Sequence, residues 1–433
     1  MHLPFPENVA QRNRLAELLV LAAQVEHDVL CQYLFAGATL KQNHDEGGVT
    51  YGQLEQMRLW KSTIMAVARQ EMEHLGIVTN LLTVIGEAPR FDRPEFPAPA
   101  SILPIDQESR LARFSERTIL RFVCFEMPAE LPDHEDVTYL RSCIPDFDPA
   151  TYDAIYRLYA EVKALLEEIE PRDLFIGPPS AQFVSAWPAV AARGRTPGKG
   201  AAPGSIYGFS LPEITDTESA TRAVDQIVEE GEGAGEHTPT SHFARFLAIH
   251  RELVATRAAD PGFEPARAVV DDPRTSDLPG ATTITNPATI RVSELFDLGY
   301  AVMMQLLMRM FAHTDESEEE VAVLESLAFF PLMTTVIRPL SEILTQLPAF
   351  GSNQPERAGP SYTLPKRIDL LPHRKAAWRN LGLQFALLER RGFAVADDLG
   401  NPGPVRPRLR LVAEQLSRIR FTFENAIGVE VTS

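Results

Sequence analysis

Glu71 and His74 are the pair in this chain best placed to do chemistry, because they sit inside a long apolar helical pattern. Its apolar residues are Ile64, Val67, Val78, Leu81 and Ile85. Glu71 follows Ile64 by seven and Val67 by four, and His74 follows Val67 by seven and precedes Leu81 by seven. Side chains three apart on a helix share a face, so the stripe carries a carboxylate and an imidazole inward together. A buried ionised carboxylate needs a compensating partner, and a metal cation is the simplest. Upstream, the series Leu15, Leu18, Ala22, Val25, Val29 and Tyr33 puts Glu26 four after Ala22 and seven before Tyr33, again on the apolar side. Four-helix bundles hold dinuclear metal sites with single Glu residues from two helices and Glu-x-x-His pairs from the other two. A lone Glu-x-x-His is more often part of a solvated helix face. The apolar flanks and the matching Glu26 favour metal here.

A dinuclear site takes about six protein ligands, so further candidates are needed. Glu126 lies four after Phe122 and seven after Ile119, before a Pro128 that must end its helix. Glu161, three after Leu158 and four before Leu165, is less cleanly placed. In IVEEGEG, Glu230 follows Ile227 by three and Glu232 follows Val228 by four, and periodicity does not separate them. In SHFARFLAIH, Ser241 reads as an N-cap with His242 in the first helical turn, a position equally natural for a surface histidine. Tyr33 reads as a packed core tyrosine, a hydrogen-bond donor to a ligand, or a redox relay.

The periodicity that positions these residues predicts helices at about 8–40, 53–86, 108–127, 150–170, 218–232, 241–257, 290–313, 317–346, 373–391 and 407–427. No alternating strand pattern interrupts them, so the expected class is all-α: a four-helix bundle with additional helices and a second helical half. Residues 88–104 are proline-rich, and 192–206 are glycine-rich and basic, reading as a mobile loop. The polar stretch 257–287 reads as a boundary. The expected organisation is therefore a metal-binding bundle at 1–257, a linker at 258–289 and a helical C-terminal region at 290–433. In that last region Met303, Met304, Met308 and Met310 read as adaptable core, or as the lining of an apolar substrate pocket.

Composition excludes several classes. A net charge of −18 disfavours a nucleic-acid partner, and the basic series from Arg406 to Arg420 reads as a solvated face. No unbroken run of about 18 apolar residues occurs, so no membrane span is expected. The start MHLPFPENVAQRNR lacks the pattern of a secretory signal. Cys31, Cys124 and Cys143 form no CxxC pair and fit a reducing cytoplasm, the expected location.

The segments VEHDVLCQYLFAGATL, QEMEHLGIVTNLLTVIGEAPRF, FVCFEMP, IVEEGEG and SHFARF, with the later SELFDLGYAVMMQLL and AGPSYTL, resemble the ferritin-like proteins of the iminophenyl-pyruvate dimer synthase type. That domain also occurs in the large enzymes of violacein and indolocarbazole biosynthesis that couple two oxidised amino acids, against which this sequence reads as a compact stand-alone version. The resemblance implies a ferritin-like bundle whose metal ligands are Glu26, Glu71, His74, Glu126, Glu232 and His242. A second Glu-x-x-His is absent from the later helices, so His242 must enter from a helix of its own.

Carboxylate-rich sites with two imidazoles favour iron or manganese; zinc prefers fewer ligands and calcium avoids nitrogen. The expected cofactor is a di-iron centre, with manganese as the alternative. The expected function is oxidation of a small amino-acid-derived substrate with dioxygen or peroxide, in its most specific form the coupling of imine or enamine units in secondary metabolism. Rival readings are a hydroxylase, desaturase or N-oxygenase, a peroxide- or iron-handling protein, and a metal-free scaffold whose carboxylates pair with Arg69, Arg113 or Arg121. The surplus of Met and Phe favours a homo-oligomer.

Overall fold

The apolar stripes become helices whose ends are set by identifiable caps. The structure, a computed structural model, describes the chain except for residues 1–5, 106, 130, 132–133, 149–150, 185–210, 232–239, 313–315, 352–353, 365–367 and 428–433. Helices α1 (Pro6–Thr39) and α2 (Tyr51–Val84) carry the first two stripes. Thr50 opens α2 with a capping box: its hydroxyl accepts from the Gln53 N–H, and the Gln53 side chain accepts from the Thr50 N–H. There follow α3 (Glu116–Phe125), α4 (His134–Cys143), α5 (Ala154–Glu168), α6 (Pro171–Leu174), α7 (Thr217–Gly231), α8 (His242–Ala259) and α9 (Pro287–Ala312). The last two helices are Arg374–Ala396 and Arg406–Ile427.

Local chemistry accounts for the departures from the expected elements. Helix α3 begins at Glu116 rather than near 108 because Ser109 is spent on extended pairing, exchanging both backbone hydrogen bonds with Ala98 at 2.9 Å. The Ser115 hydroxyl then accepts from the Thr118 N–H and starts the helix. Helix α4 was not expected, its sequence HEDVTYLRSC offering too short an apolar series. The expected helix 317–346 is a run of α pieces interrupted by π-helical segments at Leu324–Phe329 and Met333–Ile337. Pro331 and Pro339 lie in the α pieces that follow them, where their missing N–H groups displace the regular ladder. The stretch read as a linker holds a two-residue parallel pair, β1 (Pro273–Arg274) and β2 (Thr282–Thr283), and buries Phe263, Val269 and Ile284.

The chain divides into two compact units, and the first comprises Met1–Ala88, Pro97–Pro179 and Pro212–Ala266. In it α1 packs along α2 and against α5, α7 packs on α5 and α2, and α8 packs on α3 and α2. Trp60, Phe114 and Phe263 fill one end, with Trp60 stacked on Phe114 at 5.6 Å and edge-on to Phe263 at 6.2 Å. The chain after α6 returns so closely to the end of α2 that only glycine fits. The Gly177 N–H donates to Val84 O at 2.9 Å, and a Cβ there would stand 2.0 Å from Thr83 O.

The second unit comprises Pro89–Phe96, Ser180–Leu211 and Arg267–Ser433. Helix Arg374–Ala396 packs on Arg406–Ile427 and on α9, with Trp378 stacked on Phe423 at 5.2 Å. Met303, Met304, Met308 and Met310 are all buried on α9. The basic face of the last helix is solvated and paired, as with Arg410 to Asp397 and Arg420 to Glu389 and Glu424. On α9, the buried Asp297 accepts a short hydrogen bond from the Ser361 hydroxyl. Burial pushes its carboxyl up to about 7, although the Ser361 and Thr363 hydrogen bonds and the charges of Arg274 and Arg93 oppose the rise.

A carboxyl raised in this way holds its proton more tightly in the native state than in the unfolded chain. Its stabilising contribution is full below the ordinary value of 3.8 and is lost as pH rises through about 7. Asp297→Asn, which mimics the protonated form, should remove a slope of up to about 1.4 kcal/mol per pH unit across that window. Urea unfolding of wild type and variant from pH 4 to 8 measures it. A stability difference that does not change with pH would overturn the assignment.

Among the described residues, three helices are long and apolar enough to cross a membrane by length and composition: Asn8–Thr39, Pro287–Ala312 and Glu320–Leu344. None of the three is an unbroken apolar run, because each window admits a few polar or charged residues. In the first two helices 78% of the window is buried inside the protein, and in the third 47%. A helix covered on every side by neighbours needs an apolar surface all round, which gives the same hydropathy as a membrane segment.

Candidate metal centre

Four helices of the first unit deliver acidic and imidazole groups to one buried place. Glu26 comes from α1, Glu71 and His74 from α2, Glu126 from the residue after α3, and His242 from the first residue of α8. All five are buried, from 7% exposed at Glu126 to 0% at His242. Helix α3 stops at Phe125, ahead of Pro128, so Glu126 occupies its C-cap with its N–H still bonded to Phe122 O at 3.2 Å. Ser241 caps α8 as expected, its hydroxyl accepting from the Ala244 N–H at 3.2 Å, and this turns His242 inward. The end of one helix and the start of another thus replace the missing second Glu-x-x-His.

The donors form two overlapping groups, Glu26 with Glu71 and His74, and Glu71 with Glu126 and His242, each with one ligand atom per residue within 4.8 Å of the others. Glu71 belongs to both. Its Oε2 is 2.9 Å from His74 Nδ1, and its Oε1 is 2.9 Å from His242 Nδ1. The outer carboxylates take matching positions, with Glu26 Oε2 at 3.7 Å from His74 Nδ1 and Glu126 Oε2 at 3.5 Å from His242 Nδ1. Glu71 Oε1 and both ring nitrogens of His242 are buried without a hydrogen bond. Two atoms 2.9 Å apart that lack hydrogen-bond alignment suit ligands converging on a shared cation better than a donor and its acceptor. The residues therefore fit a pair of metal ions bridged by Glu71, with oxygen and imidazole donors of the kind iron and manganese take.

Electrostatics point the same way. Burial pushes the Glu26 carboxyl up to about 7, with His74 opposing the rise and the Glu71 charge adding to it. Burial would also raise Glu71, but the two histidines, His242 foremost, hold it below its ordinary value. Burial disfavours a charged imidazole, yet the surrounding carboxylates lift His242 to about 9 and His74 well above its usual range. Three carboxylates in a dry site demand positive charge at two places. Two cations bound there would satisfy that demand and release the imidazole protons.

Glu230 is the candidate that periodicity could not separate from Glu232, and its Oε2 lies 3.2 Å from His74 Nε2. Gln70 and Gln226 donate to Glu230, and Arg245 donates to Gln70. Burial would raise its carboxyl, but hydrogen bonds from His74 and Gln70 and the charge of His74 lower it to about 2. An ionised carboxylate only accepts, so the Nε2–H of His74 faces it and Nδ1 is left for the centre. Glu161 sits elsewhere, paired with Arg14 at 2.9 Å on the surface. Glu232 lies outside the described residues. Of the arginines in the scaffold reading, Arg69 pairs with Glu73 at 2.7 Å and Arg121 donates to Arg110 O at 3.0 Å.

A small cavity of about 20 Å³, partly open to solvent, reaches Glu26, Glu71, His74 and Glu126. Its other walls are Val25, Val29, Ile155, Tyr159, Ile227, Val228 and Gly231. At Gly231 a Cβ would stand 3.2 Å from Glu126 Oε2, so glycine keeps that wall clear of the carboxylate. Tyr159 was missed in the sequence, although it precedes Val162 by three and Leu166 by seven and so places a hydroxyl on the apolar stripe of α5.

A family model described as Ferritin-like matches residues 19–251, more than half of the chain and all four ligand-bearing helices. The chain belongs to the ferritin-like family. This ferritin-like chain is 24% identical over 408 residues to dichlorochromopyrrolate synthase of Lentzea aerocolonigenes, a match covering 87% of this chain and 38% of that protein. It is 25% identical over 376 residues to 2-imino-3-(indol-3-yl)propanoate dimerase of Chromobacterium violaceum, covering 79% of this chain and 33% of the relative. The chain thus spans between a third and two-fifths of the length of these relatives. Among solved structures, a ferritin-like protein from Caulobacter vibrioides covers 81% of this chain and 98% of its own, at 18% identity and a TM-score of 0.48.

Proposed function

We propose that this ferritin-like protein is an oxidase that uses a dinuclear iron or manganese centre on a small, amino-acid-derived organic molecule, in its most specific form the oxidative coupling of imine or enamine units. The observation that carries the proposal is the convergence of Glu26, Glu71, His74, Glu126 and His242 in two overlapping donor groups that share Glu71. The relatives named as a synthase of dichlorochromopyrrolate and a dimerase of an indolyl imino acid give the substrate class its direction.

A bound iron or manganese pair would supply electron transfer to dioxygen or peroxide. In this reading Glu71 holds both positions, Glu26 and Glu126 hold one each, and His74 and His242 complete them. Glu230 fixes the tautomer of His74. The valine and isoleucine side chains beside the donors give the small cavity an apolar wall.

The test is oxygen uptake and product mass, using protein loaded with Fe²⁺ or Mn²⁺ and supplied with imino acids made in situ from tryptophan or phenylalanine. Substrate-dependent uptake, with a product of twice the monomer mass less two hydrogens, supports the coupling form. A product carrying an added oxygen would move the reading to a hydroxylase or N-oxygenase. Uptake that no organic substrate alters, with ferric iron retained, would sink it in favour of iron handling.

A further inference from the structure

The outer carboxylates of the two donor groups are each gripped from behind by a tyrosine. The Tyr159 hydroxyl donates a short hydrogen bond to Glu26 Oε1, leaving Glu26 Oε2 to face His74 Nδ1 at 3.7 Å. The Tyr33 hydroxyl donates a short hydrogen bond to Glu126 Oε1, leaving Glu126 Oε2 to face His242 Nδ1 at 3.5 Å. The two arrangements match atom for atom although they are built from different helices. Tyr159 comes from α5 beside Glu26 of α1, and Tyr33 comes from α1 beside Glu126 after α3. Both rings are fully buried. Tyr33 is clamped by Phe122 at 4.6 Å and Phe246 at 4.8 Å, whereas Tyr159 lines the cavity.

We propose that Tyr33 and Tyr159 are a matched pair of positioning residues, one for each metal position, which hold Glu126 and Glu26 as one-oxygen ligands. The proposal rests on the dinuclear reading of the centre. A free carboxylate can swing and offer either oxygen or both, but one whose rear oxygen accepts from a phenol in a packed interior presents only the other. Because each tyrosine touches a different carboxylate, the two should act on separate positions. Their surroundings differ: Tyr159 borders the cavity, while Tyr33 is sealed among aromatic rings.

Anaerobic titration with Co²⁺, read by visible absorption, tests this without depending on turnover. Wild type should take up about two equivalents. Tyr33→Phe and Tyr159→Phe should each weaken one of the two by about tenfold or more and alter its spectrum. In a His242→Ala background, which leaves the Glu26–His74 position, Tyr159→Phe should weaken Co²⁺ binding further and Tyr33→Phe should not. Melting of the metal-free variants separates a structural role, which would lower the melting temperature while both Co²⁺ affinities stay as in wild type. That result would overturn the proposal, as would both tyrosines acting on one position. Wild type that binds no Co²⁺ would instead remove the dinuclear reading on which the pair depends.

Discussion

Glu71→Ala protein is expected to lose both metal ions at once, whereas His74→Ala and His242→Ala should each lose one. Glu71 is the one residue common to the two donor groups, with Oε2 toward His74 and Oε1 toward His242, both at 2.9 Å. Its removal leaves each position with a single carboxylate and a single imidazole, too few donors to hold iron or manganese against water. Elemental analysis after loading with Fe²⁺ or Mn²⁺ should fall from about two equivalents to near none. Glu71→Gln, equal in size but neutral, should fall almost as far, which separates loss of charge from collapse of the site. Full metal content in Glu71→Gln would show that the bridging role is wrong. Oxygen uptake should vanish with the metal in both variants.

The second large effect is on stability. Trp60 is 2% exposed, stacks on Phe114, meets Phe263 edge-on, and donates from Nε1 to Glu252 at 2.6 Å. It ties α2 to α8 and to the segment after α8, so truncation to Ala opens a cavity where those elements meet. The expected cost is about 3–5 kcal/mol, read as a shift of the urea midpoint. Trp60→Phe keeps the ring contacts but removes the donor to Glu252, and should cost about 1–3 kcal/mol. A loss below about 1 kcal/mol in the Ala variant would mean that this end of the unit relaxes freely. Because α8 begins with His242, metal affinity measured alongside reports whether the helix has moved.

Helix existence was legible in the sequence wherever an apolar stripe ran long. The stripes of α1 and α2 put Glu26, Glu71 and His74 on the buried side, and burial at 3%, 2% and 1% follows directly from that periodicity. Where the apolar series was short, as in α4, the pattern carried no signal. Where side-chain and bridge hydrogen bonds compete with the helix, as at Ser109 and Ser115, the start falls about two turns later than the period predicts. The apolar surfaces of α1 and α9 looked unremarkable as a sequence because scattered polar residues break them up. In the fold, burial on most sides is what makes them as apolar as membrane helices.

By itself the sequence determined that the protein is helical, that two of its helices carry ligand-type residues inward and that Glu126 lies on an apolar stripe of its own, while the place of His242 beside them was implied by the family resemblance. Those facts depend on the 3.6-residue period and on motif residues, both local. Only the tertiary structure decided that Glu71 is shared between two groups, that Glu230 rather than Glu161 stands behind His74, and that Tyr33 and Tyr159 each hold one outer carboxylate. Each of these is a distance between side chains far apart in the chain, Tyr159 and Glu26 being 133 residues apart. Such distances are set by how α1, α2, α5, α7 and α8 pack together, and no one-dimensional period encodes them.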